Sequence, residues 1–537
     1  MRAPRRRRIG AALALVAILS AACVSVDTAD SPASSAPASP EAQSLSPPQV
    51  AGIDIPDGQV DDAVARLDDL ARELMDRTGI PGMAVAVVHR GEIVYAEGFG
   101  VREAGRDGAV DADTVFQLAS MSKPLGATVV ARQVGEGVIG WDTPVVERLP
   151  GFALADPYVT SRVTVGDLYA HRSGLPDHAG DELEDLGFDR EQVFDRFRLL
   201  PLGPFRDSYE YTNFGLTAAA QAVADASGAE WADLSQRALY EPLGMTSTSS
   251  RFEDYEARPN RAVGHQLVDG DYVARAVRDP DAQSPAGGVS ASVTDVAQWL
   301  TMLLGDGEYQ GRRIVDADAL LPAVSPQAVA SPPGTVDSRA GFYGYGFNVG
   351  TSPAGRVTLS HSGAFALGAA TAFTAIPSAD VAIVALTNAA PIGVPETLAA
   401  EFTDLVQFGE IREDWTDLYE QRFATFDDPK GSLVGRTAPT NPTPARPLGQ
   451  YTGAYTSEYY GPARIDEREG ALVLTIGPAE QTYRLDHWDG DVFTFPIEGG
   501  ENAPDGTVST ATFTPDGVTF EYWNENGLGT FTRTGAS

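Results

Sequence analysis

The sequence predicts an α+β domain followed by a small all-β domain. Two strand-rich regions, at residues 82–100 and 340–388, enclose a long middle section of helical runs and Pro/Gly-rich loops. This order is typical of one domain whose sheet is completed by distant segments. From residue 447 onward the chain changes to short aromatic and β-branched runs with turn signals about every 8 to 12 residues, which predicts a small barrel or sandwich.

In chain order, the first predicted element is an amphipathic helix. Its apolar face consists of Val60, Val64, Leu67, Leu70, Leu74 and Met75. "GMAVAVVHRGEIVYAEGFG" then predicts a β-hairpin that turns at Arg90-Gly91. Helical patterns follow, from "SKPLGATVVARQVGEG" to "TDVAQWLTMLLGDG", before strands return in "AGFYGYGFNVG", "ATAFTAIP" and "DVAIVALTN". A last helix, "VPETLAAEFTDLVQFG", closes the domain.

These patterns divide the chain into five segments. We interpret residues 1–22 as a signal peptide, 23–58 as a Ser/Ala/Pro-rich tether and 59–408 as the α+β domain. The polar residues 409–446, which end in "TAPTNPTPARP", predict a semi-stiff linker. Residues 447–537 form the all-β domain.

The N-terminus predicts export. Arginines precede an apolar run, Ile9 to Leu19, that is too short to span a bilayer, which takes about 20 residues. Cys23, the only cysteine, excludes intramolecular disulfides and Cys-based zinc sites. A lone cysteine directly after such a run resembles a bacterial lipoprotein box, which implies lipidation at Cys23 and an anchored, extracytoplasmic protein of the cell envelope. The alternative is an ordinary signal peptide with a chance cysteine.

The composition excludes several partners. A formal charge of −35 repels nucleic-acid phosphates and anionic membranes, so we expect no nucleic-acid partner and no membrane contact beyond the lipid anchor. We also expect no metal site and no cofactor, because His178 and Asp177 lack a third ligand at a recognisable spacing. The oligomeric state is left open.

Ser120 and Lys123 are the first candidate catalytic residues. Only two of the 39 basic residues are lysines, and one of them lies three residues after a serine at the start of a helical pattern. Positions i and i+3 share a helix face, so the Lys123 amine can reach the Ser120 hydroxyl. Burial can depress a lysine pKa enough to make it a base, whereas arginine stays protonated. The alternative is a helix-capping serine beside an exposed lysine.

Two further motifs follow in order, Tyr211-Thr212-Asn213 and His361-Ser362-Gly363. Together with Ser120-x-x-Lys123, and with stretches such as "VTVGDLYAHRSGLPDH" and "YEPLGMTST", they resemble the penicillin-recognising serine hydrolases over about residues 60 to 408. That family comprises class C β-lactamases, D-Ala-D-Ala carboxypeptidases, esterases and D-aminopeptidases. The resemblance implies a β-lactamase/transpeptidase-like fold, with an antiparallel sheet flanked by helices and a helical subdomain. The C-terminal segment resembles a lipocalin-like module.

The resemblance also implies roles for the motif residues. Ser120 would be acylated, and Lys123 and Tyr211 would share the proton transfers, with the general base left open between them. Asn213 would bridge Lys123 and the substrate. The strand carrying His361, Ser362, Gly363 and Ala364 would bind the substrate along its edge, with the backbone N–H groups of Ser120 and Ala364 as the oxyanion hole.

His361 stands where β-lactamases and carboxypeptidases mostly carry lysine. A histidine is largely neutral at pH 7, so a substrate carboxylate should bind more weakly here. We therefore expect an exported serine hydrolase that acts on esters or amides, either small molecules or peptides. Cell-wall fragments are one candidate source of these substrates. An esterase or D-peptidase is favoured over an efficient β-lactamase. The alternatives are a penicillin-binding lipoprotein that is acylated without turnover, and a ligand-binding role of the β-domain. That domain could also cover the cleft as a lid.

Overall fold

The computed structural model describes residues 52–275, 277–426 and 428–534. The predicted signal peptide, Cys23 and most of the predicted tether lie outside the described residues. Across the described ranges, no helix is long and apolar enough to cross a membrane.

The strands in these ranges fall into one large sheet, three two-stranded ribbons and a barrel. In chain order they are β1 Gly82–His89, β2 Glu92–Gly100, β3 Phe116–Gln117, β4 Gln266–Val268, β5 Asp271–Val273, β6 Ser290–Ala291, β7 Glu308–Tyr309, β8 Arg312–Arg313, β9 Ala328–Ser331, β10 Gly341–Tyr343, β11 Asn348–Thr351, β12 Val357–Phe365, β13 Ala369–Ile376, β14 Val381–Thr387, β15 Gly453–Ser457, β16 Gly461–Arg468, β17 Ala471–Ile476, β18 Gln481–Asp489, β19 Val492–Pro496, β20 Val508–Phe513, β21 Gly517–Phe520 and β22 Thr530–Arg533.

Most α-helices occur between the two strand-rich regions, as the sequence predicts. They are α1 Gln59–Val64, α2 Leu67–Thr78, α3 Ser122–Gly135, α4 Pro157–Thr160, α5 Val165–Tyr169, α6 Asp181–Asp185, α7 Arg190–Phe194, α8 Asn213–Ser227, α9 Trp231–Ser235, α10 Glu241–Leu243, α11 Phe252–Ala257, α12 Ser284–Gly287, α13 Val293–Leu304, α14 Ala317–Leu320, α15 Val394–Phe408 and α16 Trp415–Phe423. The single predicted N-terminal helix is two helices, α1 and α2.

The large sheet is antiparallel and joins distant parts of the chain, in the order β2-β1-β14-β13-β12-β11-β10-β9. β1 is bonded to β14, with Met83 opposite Thr387, so the N-terminal hairpin completes the sheet of the C-terminal strands. Alternate residues of β1 face opposite sides: Val85 packs with α1, α2 and α15, whereas Ala84 packs with the central helices. The predicted α+β architecture is confirmed.

The C-terminal segment is a closed antiparallel barrel in which the eight strands β15 to β22 neighbour each other in sequence order. β15 pairs with β22 and closes it, with Tyr455 opposite Arg533. Its interior is filled by aromatic side chains that are at most 4% exposed: Tyr451, Tyr455, Phe493, Phe495, Phe513, Phe520, Trp523 and Phe531. The predicted all-β barrel is therefore confirmed, while its likeness to lipocalins stays a prediction.

The barrel packs directly on the α+β domain. Asp185, at the end of α6, accepts hydrogen bonds from the Asn502 side chain (3.0 Å) and backbone (3.2 Å). Arg196 donates to the Tyr459 carbonyl at 2.8 Å. The predicted linker 409–446 holds helix α16, which packs against α15. The polar composition of this segment conceals the helical pattern.

Candidate active site

A cavity of about 1090 Å³ lies between the two domains and contains most of the predicted site residues. Its lining includes Ser120, Tyr211, Asn213, His361, Ser362 and Ala364. The β-barrel supplies another part of the wall, with Glu501, Asn502, Tyr522 and Glu525. Lys123 and Gly363 lie just behind this surface, as their contacts show below.

Ser120 lies in a short helical turn, Ala119–Met121, immediately before α3. Ala119 has φ of 48°, an unfavourable value for a residue with a side chain. Ser122 stabilises this turn, since its hydroxyl donates to the Ala119 carbonyl at 2.6 Å and accepts from the Val289 N–H at 2.9 Å. The turn therefore holds Ser120 at the cavity surface in a defined position.

Lys123, the second residue of α3, is fully buried. Its Nζ donates to Ser120 Oγ at 2.9 Å, to Asn213 Oδ1 at 2.7 Å and to the Ala286 carbonyl at 3.0 Å. Burial lowers the pKa of Lys123 from 10.5 to about 7, although the nearby Asp181 carboxylate opposes this shift. Both the neutral and the charged amine are thus accessible near neutral pH.

Asn213, the first residue of α8, is oriented by a carboxylate that the sequence analysis missed. Its Nδ2 donates to Asp181 Oδ2 at 2.8 Å, which turns Oδ1 toward Lys123. His178 Nδ1 donates to the same Asp181 oxygen at 2.8 Å. Burial lowers the pKa of His178, but the hydrogen bond to Asp181 and the Asp181 and Asp177 charges outweigh it, so this pKa is raised overall. His178 therefore belongs to a hydrogen-bond chain that runs through Asp181 and Asn213 to Lys123.

Tyr211 lies beside both candidate catalytic residues. Its side chain interacts with Ser120, and Lys123 Nζ is 4.5 Å from its ring centroid. Burial raises the pKa of Tyr211 well above its ordinary value, despite the opposing effect of Ser120, so the phenol is neutral at neutral pH. His171 Nδ1 accepts the Thr212 N–H at 3.1 Å, and its ring packs 4.5 Å from that of Tyr211. These contacts position Tyr211.

The strand β12 offers a free edge to the cavity. Its pairing with β11 ends at Ser360, opposite Asn348, so the edge of residues 361–365 on that side has no strand partner. Gly363 lies against the Ser120 turn: a Cβ there would be 2.1 Å from the Leu118 carbonyl oxygen. Only glycine allows the strand to approach the nucleophile this closely.

His361 is buried and cannot supply a permanent positive charge. Its Nδ1 contacts the Ser362 carbonyl at 2.6 Å, and its Nε2 contacts the Tyr343 hydroxyl at 2.8 Å. Because a carbonyl only accepts, Nδ1 carries the proton and Nε2 accepts from Tyr343. Burial and the neighbouring Lys123 lower the pKa of His361 to about 3. The imidazole is neutral and is held by two hydrogen bonds.

The barrel residue Glu501 contacts the turn that follows β12. One carboxylate oxygen accepts the Ala366 N–H at 2.8 Å and the other accepts the Leu367 N–H at 3.3 Å. Arg278 lies 3.6 Å from the same carboxylate. Glu501 therefore holds the end of the free-edge strand from the opposite domain, a role with no signal in the sequence.

Replacing Glu501 with alanine should lower kcat/KM by about tenfold, because the end of β12 loses its anchor and misplacement of a site by about 1 Å already costs up to 10²-fold. The free energy of unfolding should fall by about 2 kcal/mol, since Arg278 and two N–H groups lose a buried partner. Steady-state kinetics and thermal unfolding measure both. Glu498→Ala, an exposed acid of the same loop, is the matched control, and equal behaviour of the two variants would contradict the anchor.

Within the described residues, no group of three His, Cys, Asp or Glu side chains is arranged to hold a metal ion.

The structure brings the predicted site residues together at one cavity: Ser120, Lys123, Tyr211, Asn213, His361, Ser362, Gly363 and Ala364. Cys23, the predicted lipidation site, lies outside the described residues. Asp181, Glu396 and Glu501 also line the cavity and went unrecognised in the sequence, where 74 acidic residues give no means of singling them out.

Comparison with known proteins gives two family matches. The family described as "Beta-lactamase" matches residues 67–408, and the "Domain of unknown function (DUF3471)" matches residues 437–527. The chain is 28% identical to Unguisins hydrolase ungD of Aspergillus violaceofuscus, over 78% of this chain and 80% of that protein. It is 33% identical to Penicillin-binding protein 4 of Amycolatopsis lactamdurans, over 42% of this chain and 60% of that protein.

A solved structure shares the overall fold. The octameric penicillin-binding protein homologue from Pyrococcus abyssi superposes with a TM-score of 0.58 at 20% sequence identity, and the match covers 85% of this chain and 98% of that one.

Proposed function

The chain belongs to the beta-lactamase family of serine hydrolases, and from this premise we propose that it hydrolyses esters or amides through an acyl-enzyme on Ser120. The observation that carries the proposal is the set of three contacts made by the buried Lys123 amine. Two of its partners, Asn213 Oδ1 and the Ala286 carbonyl, can only accept hydrogen bonds. In the neutral amine they take both N–H groups, which leaves the lone pair directed at Ser120 Oγ, 2.9 Å away.

In the proposed acylation step, Ser120 Oγ attacks the substrate carbonyl carbon while its proton passes to Lys123 Nζ. The carbonyl oxygen becomes an oxyanion that accepts hydrogen bonds from the backbone N–H groups of Ser120 and Ala364. When the tetrahedral intermediate collapses, the bond to the leaving group breaks and the leaving group takes up the proton that Lys123 received, which restores the neutral amine. Water then attacks the Ser120 ester by the reverse sequence and releases the acid product.

We assign the general base to Lys123 rather than Tyr211. Burial brings the pKa of Lys123 to about 7, whereas it raises the pKa of Tyr211 well above its ordinary value. A base needs an accessible neutral or anionic form at the operating pH, and only the lysine has one here. The neutral Tyr211 phenol, which interacts with Ser120, is suited to relay the proton from Lys123 to the leaving group, because it gives up its own proton as it receives one.

This assignment predicts the pH dependence of acylation. Protonated Lys123 has no lone pair, so kcat/KM should fall about tenfold per pH unit below an apparent pKa of about 7 and level off above it. The measurement is kcat/KM for an uncharged chromogenic ester from about pH 5 to about pH 9. A rate that continues to rise toward pH 10 would instead indicate Tyr211 phenolate as the base.

The test of the proposed function is a substrate panel. The chain without residues 1–22 is incubated with short-chain chromogenic esters and with D-amino-acid peptides, and turnover is followed. Mass spectrometry after rapid quenching should find the acyl group on the peptide containing Ser120. Acylation by a fluorescent penicillin with no release would favour the penicillin-binding alternative, and no adduct with any substrate would refute the proposal.

We further propose that the protein is exported and anchored through a lipid on Cys23. The support is the sequence alone, an apolar run followed by a cysteine and a Ser/Ala/Pro-rich tether. Metabolic labelling with a fatty acid, compared between the wild type and Cys23→Ser, tests the anchor. Label retained by Cys23→Ser would contradict it.

A further inference from the structure

Glu396 is a buried carboxyl group on the wall of the catalytic cavity without a cationic partner. It lies near the start of α15, is 9% exposed and lines the cavity. No arginine or lysine of the described residues forms an ion pair with it, and its Oε2 has no hydrogen-bond partner. Burial raises the pKa of Glu396 to about 7, against the opposing effects of its own backbone N–H and of Ser362, so a bound cation would favour the ionised carboxylate.

The Glu396 carboxyl lies next to the substrate-binding edge. It interacts with the Ser362 side chain, and Ser362 is two residues from Ala364, whose N–H is assigned to the oxyanion hole. A substrate group that meets Glu396 is therefore close to the reacting carbonyl. His361, the neighbouring residue on the strand, is neutral and offers no positive charge that could neutralise Glu396.

Aromatic side chains of α16 form the adjacent wall. Tyr419 and Phe423 both line the cavity, and a Cβ built on Gly393, three residues before Glu396, would lie 2.8 Å from Tyr419 and 3.2 Å from Phe423. Glu396 also interacts electrostatically with Tyr419. A carboxylate beside aromatic rings is the usual chemistry of sites that bind alkylammonium groups, because both attract a weakly hydrated cation.

We propose that Ser362, Glu396, Tyr419 and Phe423, here called the amine pocket, bind an ammonium group carried by the substrate. This inference rests on the proposed acyl-enzyme function and adds the substrate class: esters or amides that bear a cationic amine close to the scissile bond. The same carboxylate repels a substrate carboxylate at that position, so acids should be the poorest substrates.

The rest of the cavity wall carries charges of both signs, with carboxylates in excess. Asp177, Asp181, Glu182 and Glu525 line it, as do the cations Arg278, Arg422 and Lys430; Arg278 is already engaged by Glu184 at 2.6 Å and by Glu501. These carboxylates favour the approach of a cation to the cavity. These carboxylates do not identify where the cation binds. The binding position is identified by Glu396, which is buried and has no ion-pair partner.

The experiment compares matched thioesters. One carries a choline-type trimethylammonium group on the leaving thiol, the second an uncharged tert-butyl group of the same shape, and the third a carboxylate. A second series carries the same three groups on the acyl part. The wild type should show a kcat/KM about tenfold or more higher for the cationic member than for its uncharged isostere in one series, and the lowest value for the carboxylate.

Two variants locate the effect. Glu396→Gln keeps the shape of the side chain and removes its charge, so the ratio of kcat/KM for the cationic member to that for its uncharged isostere should fall to about 1 in this variant. Glu401→Gln is the matched control: it is the same exchange on the same helix, at another carboxyl with an unpartnered Oε2 that does not line the cavity. Glu401→Gln should keep the preference.

The outcomes separate the two proposals. If neither these thioesters nor the esters and peptides of the substrate panel acylate Ser120, the proposed function fails. If the uncharged isostere is hydrolysed as well as the cationic one in both series, the amine pocket is refuted while the hydrolase stands. A preference that survives Glu396→Gln, or that disappears equally in Glu401→Gln, also refutes the pocket.

Discussion

Replacing Lys123 with arginine should reduce kcat/KM by about 10²- to 10⁴-fold, the usual contribution of a general base. The wild-type amine is fully buried and can release its proton, because burial lowers the pKa of Lys123 to about 7. A guanidinium stays charged at every accessible pH and has no lone pair to accept the Ser120 proton. The variant should therefore fail at acylation itself, before any later step.

Burst kinetics with a chromogenic ester measure this prediction, because they resolve acylation from later steps. Arg132→Lys, the reverse exchange on the same helix, is the matched control: its side chain is a quarter exposed and pairs with Glu136, so kcat/KM should stay within about twofold. Thermal unfolding of both variants verifies that the fold is kept. A Lys123→Arg enzyme that retains a tenth of wild-type kcat/KM would show that the lysine is not the base.

Replacing Gly363 with alanine should reduce kcat/KM by about 10²-fold and destabilise the domain by about 1–3 kcal/mol. The added Cβ would lie 2.1 Å from the Leu118 carbonyl oxygen, 2.4 Å from Thr371 Oγ1 and 3.1 Å from the Met121 nitrogen. Two of these atoms belong to the backbone next to Ser120 and cannot rotate away. The strand must therefore separate from the nucleophile, which opens the oxyanion hole between Ser120 and Ala364.

Steady-state kinetics and chemical denaturation measure the two effects of Gly363→Ala. The control is Gly151→Ala, because a Cβ built on Gly151 meets no atom within 4 Å and its φ is not in the left-handed region. That variant should retain the activity and stability of the wild type. Wild-type kcat/KM in Gly363→Ala would contradict the close approach of β12 to the Ser120 turn.

Much of the site was predictable because reactive residues stand in local motifs. Ser120 and Lys123 are one helical turn apart, and the serine–x–x–lysine spacing encodes that contact without reference to the rest of the chain. Gly363 belongs to a motif of the same kind. The central sheet was foreseen as well, since period-two and helical hydrophobic patterns are also local.

Other parts of the site could not be predicted, because their roles depend on contacts between distant residues. Asp181 orients Asn213 across 32 positions of the chain, and nothing distinguishes it from the other acids of its segment. Helix α16 lies in a segment whose polar composition indicates a linker, yet Tyr419 and Phe423 line the cavity. Glu501 reaches the Ala366 N–H from 135 residues away.

The sequence by itself determined the reactive groups, their order and the two-domain organisation of the described chain. A hydroxyl, an amine and a phenol are properties of residue types, and helix or strand periodicity follows from local backbone geometry.

Only the tertiary structure decided how these groups behave. The pKa of Lys123 depends on its complete removal from water, and the neutral state of His361 depends on burial beside that lysine. The wall that the barrel adds to the cavity likewise exists only when the two domains pack together. Burial and long-range contact are consequences of the whole packed chain, so no local pattern contains them.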